Sequence, residues 1–235
     1  MAVVLAGLMG LTACMTELSA GGRPPSYART GLEPGPAAKT YVAGCDSNTT
    51  GSFNRIDNWL TPQFDPVVPY SYVDELTLRG AASVVKAAVN GSGIHSYGVP
   101  LVNAMAQTEI DEGVPASDIY AIVNCAFNTL LATYTPQDTA EMNLTAAEQL
   151  ESLGVEVFFF ETPQMQYGTP IYWQNEVMNS KVDEFNQIIR DNAGSVGAEY
   201  IAVDGVYGYT ADGLHVETGD HVQIAEAITR YMNNR

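Results

Sequence analysis

Short apolar runs alternate along most of this chain with longer stretches in which apolar and polar residues are mixed. Thr40-Tyr41-Val42-Ala43 is the first run and Ser83 to Val89 the second. Ile119 to Val123, Val155 to Phe160 and Tyr200 to Val203 follow. Their length and their β-branched and aromatic content predict five strands. Val155 to Phe160 is apolar at nearly every position, as suits a strand covered on both faces. Between the runs, apolar residues recur at helical spacing. Leu101, Val102, Met105 and Ala106 mark one helix. Met142, Leu144, Ala147, Leu150 and Leu153 predict another over Thr139 to Leu153. Val177, Val182, Phe185 and Ile189 predict a third over Glu176 to Ile189, and His221 to Tyr231 reads as a closing helix. Strands alternating with helices imply right-handed crossovers, hence an α/β fold of three α/β/α layers around a five-stranded parallel sheet. Functional groups in such a sheet lie in loops beyond the carboxyl ends of the strands.

The N-terminal region breaks this pattern. Residues 2 to 13 form an apolar run too short to span a bilayer, which suits a secretory signal segment. It ends Leu11-Thr12-Ala13-Cys14, which resembles the bacterial lipobox, although no Lys or Arg precedes it. Residues 1 to 14 are therefore expected to be a signal peptide, with Cys14 as a lipidation site that labelled palmitate would report. A buried N-terminal strand or helix is the other reading. Residues 15 to 39 are rich in Gly, Pro, Ser and Ala and read as a flexible tether. Residues 40 to 235 then make one domain, on the surface of or outside the cell, with membrane attachment through the N-terminal lipid.

Composition narrows the partners. Ten basic residues against 27 acidic ones leave a formal charge of −17. No stripe of Lys and Arg can follow a phosphate backbone, so nucleic acid is excluded as a partner. With Cys14 set aside, Cys45 and Cys125 remain, and two readings stay open: a disulfide, or two separate thiols.

Four short blocks carry candidate chemistry, each after its own predicted strand. They are Asp46-Ser47, Asn90-Gly91-Ser92-Gly93, Ala126-Phe127-Asn128 and Asp212-Gly213-Leu214-His215. Taken singly, each is a common turn or cap signal. Taken in order, they resemble the SGNH, or GDSL-type, hydrolase superfamily over about residues 40 to 232. Phe159-Phe160-Glu161-Thr162-Pro163 and the segment after His215 resemble that family's penultimate strand and closing helix.

The resemblance implies a flavodoxin-like fold and a serine esterase with Ser47 as nucleophile, His215 as base and Asp212 orienting the imidazole. It assigns the oxyanion hole to the backbone N–H groups of Ser47 and Gly93 and the side-chain amide of Asn128. No metal or other cofactor is implied. The substrate would be a small-molecule or glycan ester: an acetylated carbohydrate, a lipid or another small acyl ester. Two positions depart from the family pattern. Cys45 stands where glycine precedes Asp-Ser, and Ala126-Phe127-Asn128-Thr129 replaces Gly-x-Asn-Asp. Both put a cysteine beside the oxyanion loops, so that a Cys45–Cys125 disulfide would brace them. The departures also motivate a second function, a catalytically impaired surface domain of this fold that binds glycan or a protein partner.

Two decoys fail on context. Gly44 to Ser52 lacks the lysine and spacing of a phosphate loop. Ser195 in Ala193-Gly194-Ser195-Val196-Gly197 has a helix before it and a strand after it, the reverse of a nucleophile elbow. His95 reads as a turn residue and His221 as a packing or capping residue. A metal site from Asp212, His215, Asp220 and His221 lacks a second ligand pair at metal spacing.

Overall fold

The computed structural model describes residues 39–44, 49, 71–81, 83–88, 99–131, 134–164, 175–203, 215–216 and 218–235. Five strands occur in it: β1 (Thr40–Ala43), β2 (Ser83–Lys86), β3 (Ile119–Ile122), β4 (Glu156–Phe160) and β5 (Glu199–Ile201). All pair in parallel in the order β2-β1-β3-β4-β5. The helices among the described residues are α1 (Tyr72–Leu78), α2 (Val99–Asp111), α3 (Phe127–Leu131), α4 (Pro136–Ser152), α5 (Asn175–Asn192) and α6 (Thr218–Asn233).

The period-two geometry of a strand sends alternate side chains into two separate cores. Val42, Ile119, Ala121, Val157 and Phe159 pack on one face with residues of α2, α4 and α5. Tyr41, Ala43, Tyr120, Ile122, Phe158 and Phe160 pack on the other with α1 and α6. Three layers result, as the alternation of elements predicts.

Strand order 2-1-3-4-5 reverses direction at β1, so the crevice beyond the carboxyl ends of β1 and β3 is the topological switch point. The segments leaving these two strands carry the first and third blocks. Gly44, the first residue past β1, donates its N–H to the Ile122 carbonyl at 3.0 Å. A Cβ at this position would lie 2.2 Å from Val102 Cγ2 and 3.0 Å from the Ala87 carbonyl oxygen. The β-branched Val102 cannot swing clear, so only glycine lets α2 sit this close to the exit of β1.

Several boundaries differ from the sequence pattern. Helix α4 begins three residues earlier than its apolar spacing, because Thr135 and Asp138 form a capping box and Pro136 opens the first turn. Leu153 lies past the end of that helix and is 40% exposed, while Asn143 occupies the buried face instead. Val177, assigned to the stripe of α5, is 55% exposed, and Met178 beside it is buried. Helix α1 was not anticipated. Ser71 caps it through a box with Asp74, and it buries Tyr72, Val73, Glu75 and Leu76 against α6.

Candidate active site

Of the predicted site residues, His215, Asn128 and Cys125 are described. Ser47, Gly93, Asp212, Cys45 and Cys14 lie outside the described residues, as do the signal segment and the tether up to residue 38. Described residues stand close in sequence to three of the blocks. Thr49 stands two residues after Ser47, Phe127 one before Asn128, and Val216 one after His215. All three line one small cavity of about 10 Å³, together with Tyr72, Asn124 and Thr162. Thr49, Phe127 and Val216, which flank the first, third and fourth blocks in sequence, therefore meet at one cavity that the ends of β3 and β4 also line through Asn124, Phe160 and Thr162.

Thr49 is 2% exposed, and its hydroxyl lies 3.2 Å from that of Tyr72. Tyr72 is fully buried at the start of α1 and works as a peg between three elements. Its ring meets Phe160 of β4 edge-on at 5.1 Å and stacks on His221 of α6 at 6.3 Å. Thr49 is thereby tied to the end of β4 and to α6. Neither Thr49 nor Tyr72 stood out in the sequence. Thr49 carried a weak signal, as a small polar residue directly behind the serine turn. Tyr72 carried none.

Asn128 is the second residue of the short helix α3 and is half-buried. Behind it, the Thr162 hydroxyl donates to Asn124 Oδ1 at 2.7 Å, linking the exits of β3 and β4. Cys125 is 2% exposed and disulfide-bonded to a partner outside the described residues.

His215 is 7% exposed and immediately precedes the buried Val216. The second histidine, His221, has no exposed surface and lies near enough to feel the charges of Lys86 and His215. Burial above all, then electrostatic repulsion from the Lys86 and His215 side, pushes its pKa down to about 3. His221 therefore stays neutral through the neutral range. The consequence for stability has a definite sign. Unfolded His221 takes up a proton below about pH 6.5, but the folded form resists it down to about pH 3. Its contribution is complete above the unfolded value and is lost as the pH falls through that window, by at most about 1.4 kcal/mol per pH unit. In urea melts between pH 7 and 4.5, His221→Gln should show a shallower acid loss than the wild type. Parallel profiles would remove His221 from the account.

Among the described residues no cluster of His, Cys, Asp and Glu is arranged to hold a metal ion, and no helix is long and apolar enough to cross a membrane.

No protein-family model and no curated protein matches this sequence. Solved structures do. A carbohydrate acetylesterase from Sinorhizobium meliloti superposes with a TM-score of 0.64 at 13% identity, covering 83% of this chain and 99% of its own. An aryl esterase from M. smegmatis gives 0.64 at 15% identity, covering 84% and 99%. A member of the lipolytic protein G-D-S-L family from Veillonella parvula gives 0.60 at 13% identity, covering 84% and 100%. At such identities the likeness is one of fold: this chain has the three-layer α/β fold shared by the SGNH, or GDSL-type, hydrolases.

Proposed function

We propose that this protein is a serine esterase that hydrolyses small acyl esters through an acyl-enzyme. The observation behind this reading is the convergence of Thr49, Phe127 and Val216 on one cavity, which brings the flanks of the serine, asparagine and histidine blocks together. In the first step Ser47 Oγ attacks the ester carbonyl carbon while His215 takes its proton, and Asp212 holds the imidazole in the required tautomer. The oxyanion is met by the N–H groups of Ser47 and Gly93 and by the Asn128 amide. Collapse expels the alcohol, which leaves with the proton from His215. Water then attacks the acyl-enzyme with His215 again as base, releasing the acid and restoring Ser47. The described neighbours, named as a carbohydrate acetylesterase and an aryl esterase, support acetylated carbohydrates as the first substrates to try, with lipid and other small acyl esters beside them. Turnover of p-nitrophenyl acetate by the wild type and by Ser47→Ala tests the reading, and equal rates would end it. The substituted residues at Cys45 and Ala126 favour a second reading, a glycan- or protein-binding domain without turnover, to which the same result would pass.

We propose Cys45 as the disulfide partner of Cys125. In the β1/β3 register Ala43 lies opposite Ile122, and Gly44 bonds to the Ile122 carbonyl, so two and three further residues bring the chain to the two cysteines from adjacent strand ends. A disulfide in this position suits an extracytoplasmic protein. Thiol titration of the denatured, unreduced protein should find Cys125 newly reactive in Cys45→Ser and still blocked in Cys14→Ser. The opposite result would make Cys14 the partner.

A further inference from the structure

Where a strand leaves its sheet, its backbone groups lose their neighbours and must find others. At the exit of β3 a side chain supplies them. Asn143, fully buried in the middle of α4, accepts from the Cys125 N–H through Oδ1 at 3.2 Å. Its Nδ2 donates to the Cys125 carbonyl at 3.2 Å and to the Thr139 carbonyl at 2.8 Å. Asn186 of α5 does the same at the exit of β4, accepting from the Thr162 N–H and donating to its carbonyl, both at 2.9 Å. The Thr162–Asn124 bond joins the two clamps. One chain of hydrogen bonds, buried at both clamps and partly buried between them, thus runs from α4 to α5 across both strand ends.

A single hydrogen bond fixes a distance. An amide paired with both backbone groups of one residue also fixes that residue's tilt. Cys125 is held in this way by Asn143 and covalently by its disulfide. Only Ala126 and Phe127 separate it from Asn128, and the turn between them closes with the Leu130 N–H on the Ala126 carbonyl at 3.0 Å. An error at Cys125 therefore passes almost undamped to the Asn128 amide. Oxyanion donors tolerate little displacement, because their benefit depends on where the charge develops.

We propose that Asn143 is a positioning residue for catalysis, holding the Asn128 amide at the oxyanion through Cys125. This rests on the esterase reading above. The test is a kinetic cycle on p-nitrophenyl acetate with Asn143→Ala and Asn143→Asp, each made in the wild type and in Asn128→Ala, with rates expressed per folded molecule from circular dichroism. Asn143→Ala should lower kcat by about tenfold or more with KM within about twofold, since the lost alignment is felt only in the transition state. Asn143→Asp keeps an acceptor for the Cys125 N–H but turns a carboxylate oxygen on the Cys125 and Thr139 carbonyls, so it should lower kcat at least as far. It carries the comparison alone should the alanine variant not fold. In the Asn128→Ala background either change should cost less than about threefold, because the group it positions is gone. Equal losses in the two backgrounds, or an undiminished kcat per folded molecule, would reduce Asn143 to a structural clamp. Ser47→Ala run in parallel separates the two failures. Absence of Ser47-dependent turnover defeats the esterase reading, whereas Ser47-dependent turnover with additive losses defeats only the positioning role.

Discussion

Ser47→Ala should lower kcat on p-nitrophenyl acetate by about 10⁴ to 10⁶, His215→Ala by a similar factor, and the double substitution by no more than the larger of the two. The expectation follows from how the two groups share one event. A serine hydroxyl is a weak nucleophile until a base removes its proton as the bond to carbon forms. Without the base, the hydroxyl contributes little. Without the hydroxyl, the base has only a loosely held water to activate. The two losses therefore overlap instead of multiplying. Residual turnover would come from the oxyanion donors and from binding, and should be alike in all three variants. Multiplicative losses would mean that Ser47 and His215 act in separate steps. A rate unchanged in Ser47→Ala would mean that the chemistry lies elsewhere. Because His215 is only 7% exposed, His215→Ala opens space beside the core, so its rate must be compared at equal folded fraction.

The strands were legible because each central one buries both faces, leaving little room for polar residues in β1, β3 or β4. The edge strands came out shorter than their apolar runs. Strand β2 stops at Lys86 and β5 at Ile201, and two of the central strands lose one residue each, β3 ending at Ile122 and β4 opening at Glu156. Helix α1 was hidden by its own core. Glu75 and Arg79 are both buried and pair at 3.5 Å, so charged residues stand where the pattern of an amphipathic helix calls for apolar ones. Asn143 escaped notice for a related reason: on sequence it reads as a polar break in the apolar face of α4, and only the fold brings Cys125 against it. The site blocks stand out in the sequence by residue type and order. The contacts beside their described flanks, Thr49 to Tyr72 and Cys125 to Asn143, join residues 18 or more positions apart, and no local pattern encodes those.

Asn128→Ala should cost about 10² to 10³ in kcat, or about 3–4 kcal/mol of transition-state stabilisation, with KM changed little. Of the three proposed donors, Asn128 is the one whose hydrogen bond a substitution removes, since the other two are backbone N–H groups. The split between kcat and KM follows from geometry: the amide must meet the oxygen where it lies once the carbonyl carbon is tetrahedral, not where it lies in the bound ester. Asn128→Asp sharpens the test. It preserves the shape of the side chain while replacing a donor with a negative charge aimed at developing negative charge. It should be at least as slow as the alanine variant near neutral pH. If activity returns as the pH falls into the carboxylate range, the protonated acid is again able to donate. An Asn128→Asp enzyme as fast as the wild type at neutral pH would show that no oxyanion is held there. A rise in KM with kcat intact would instead make Asn128 a substrate-binding residue and shift the burden of the chemistry to the two backbone donors.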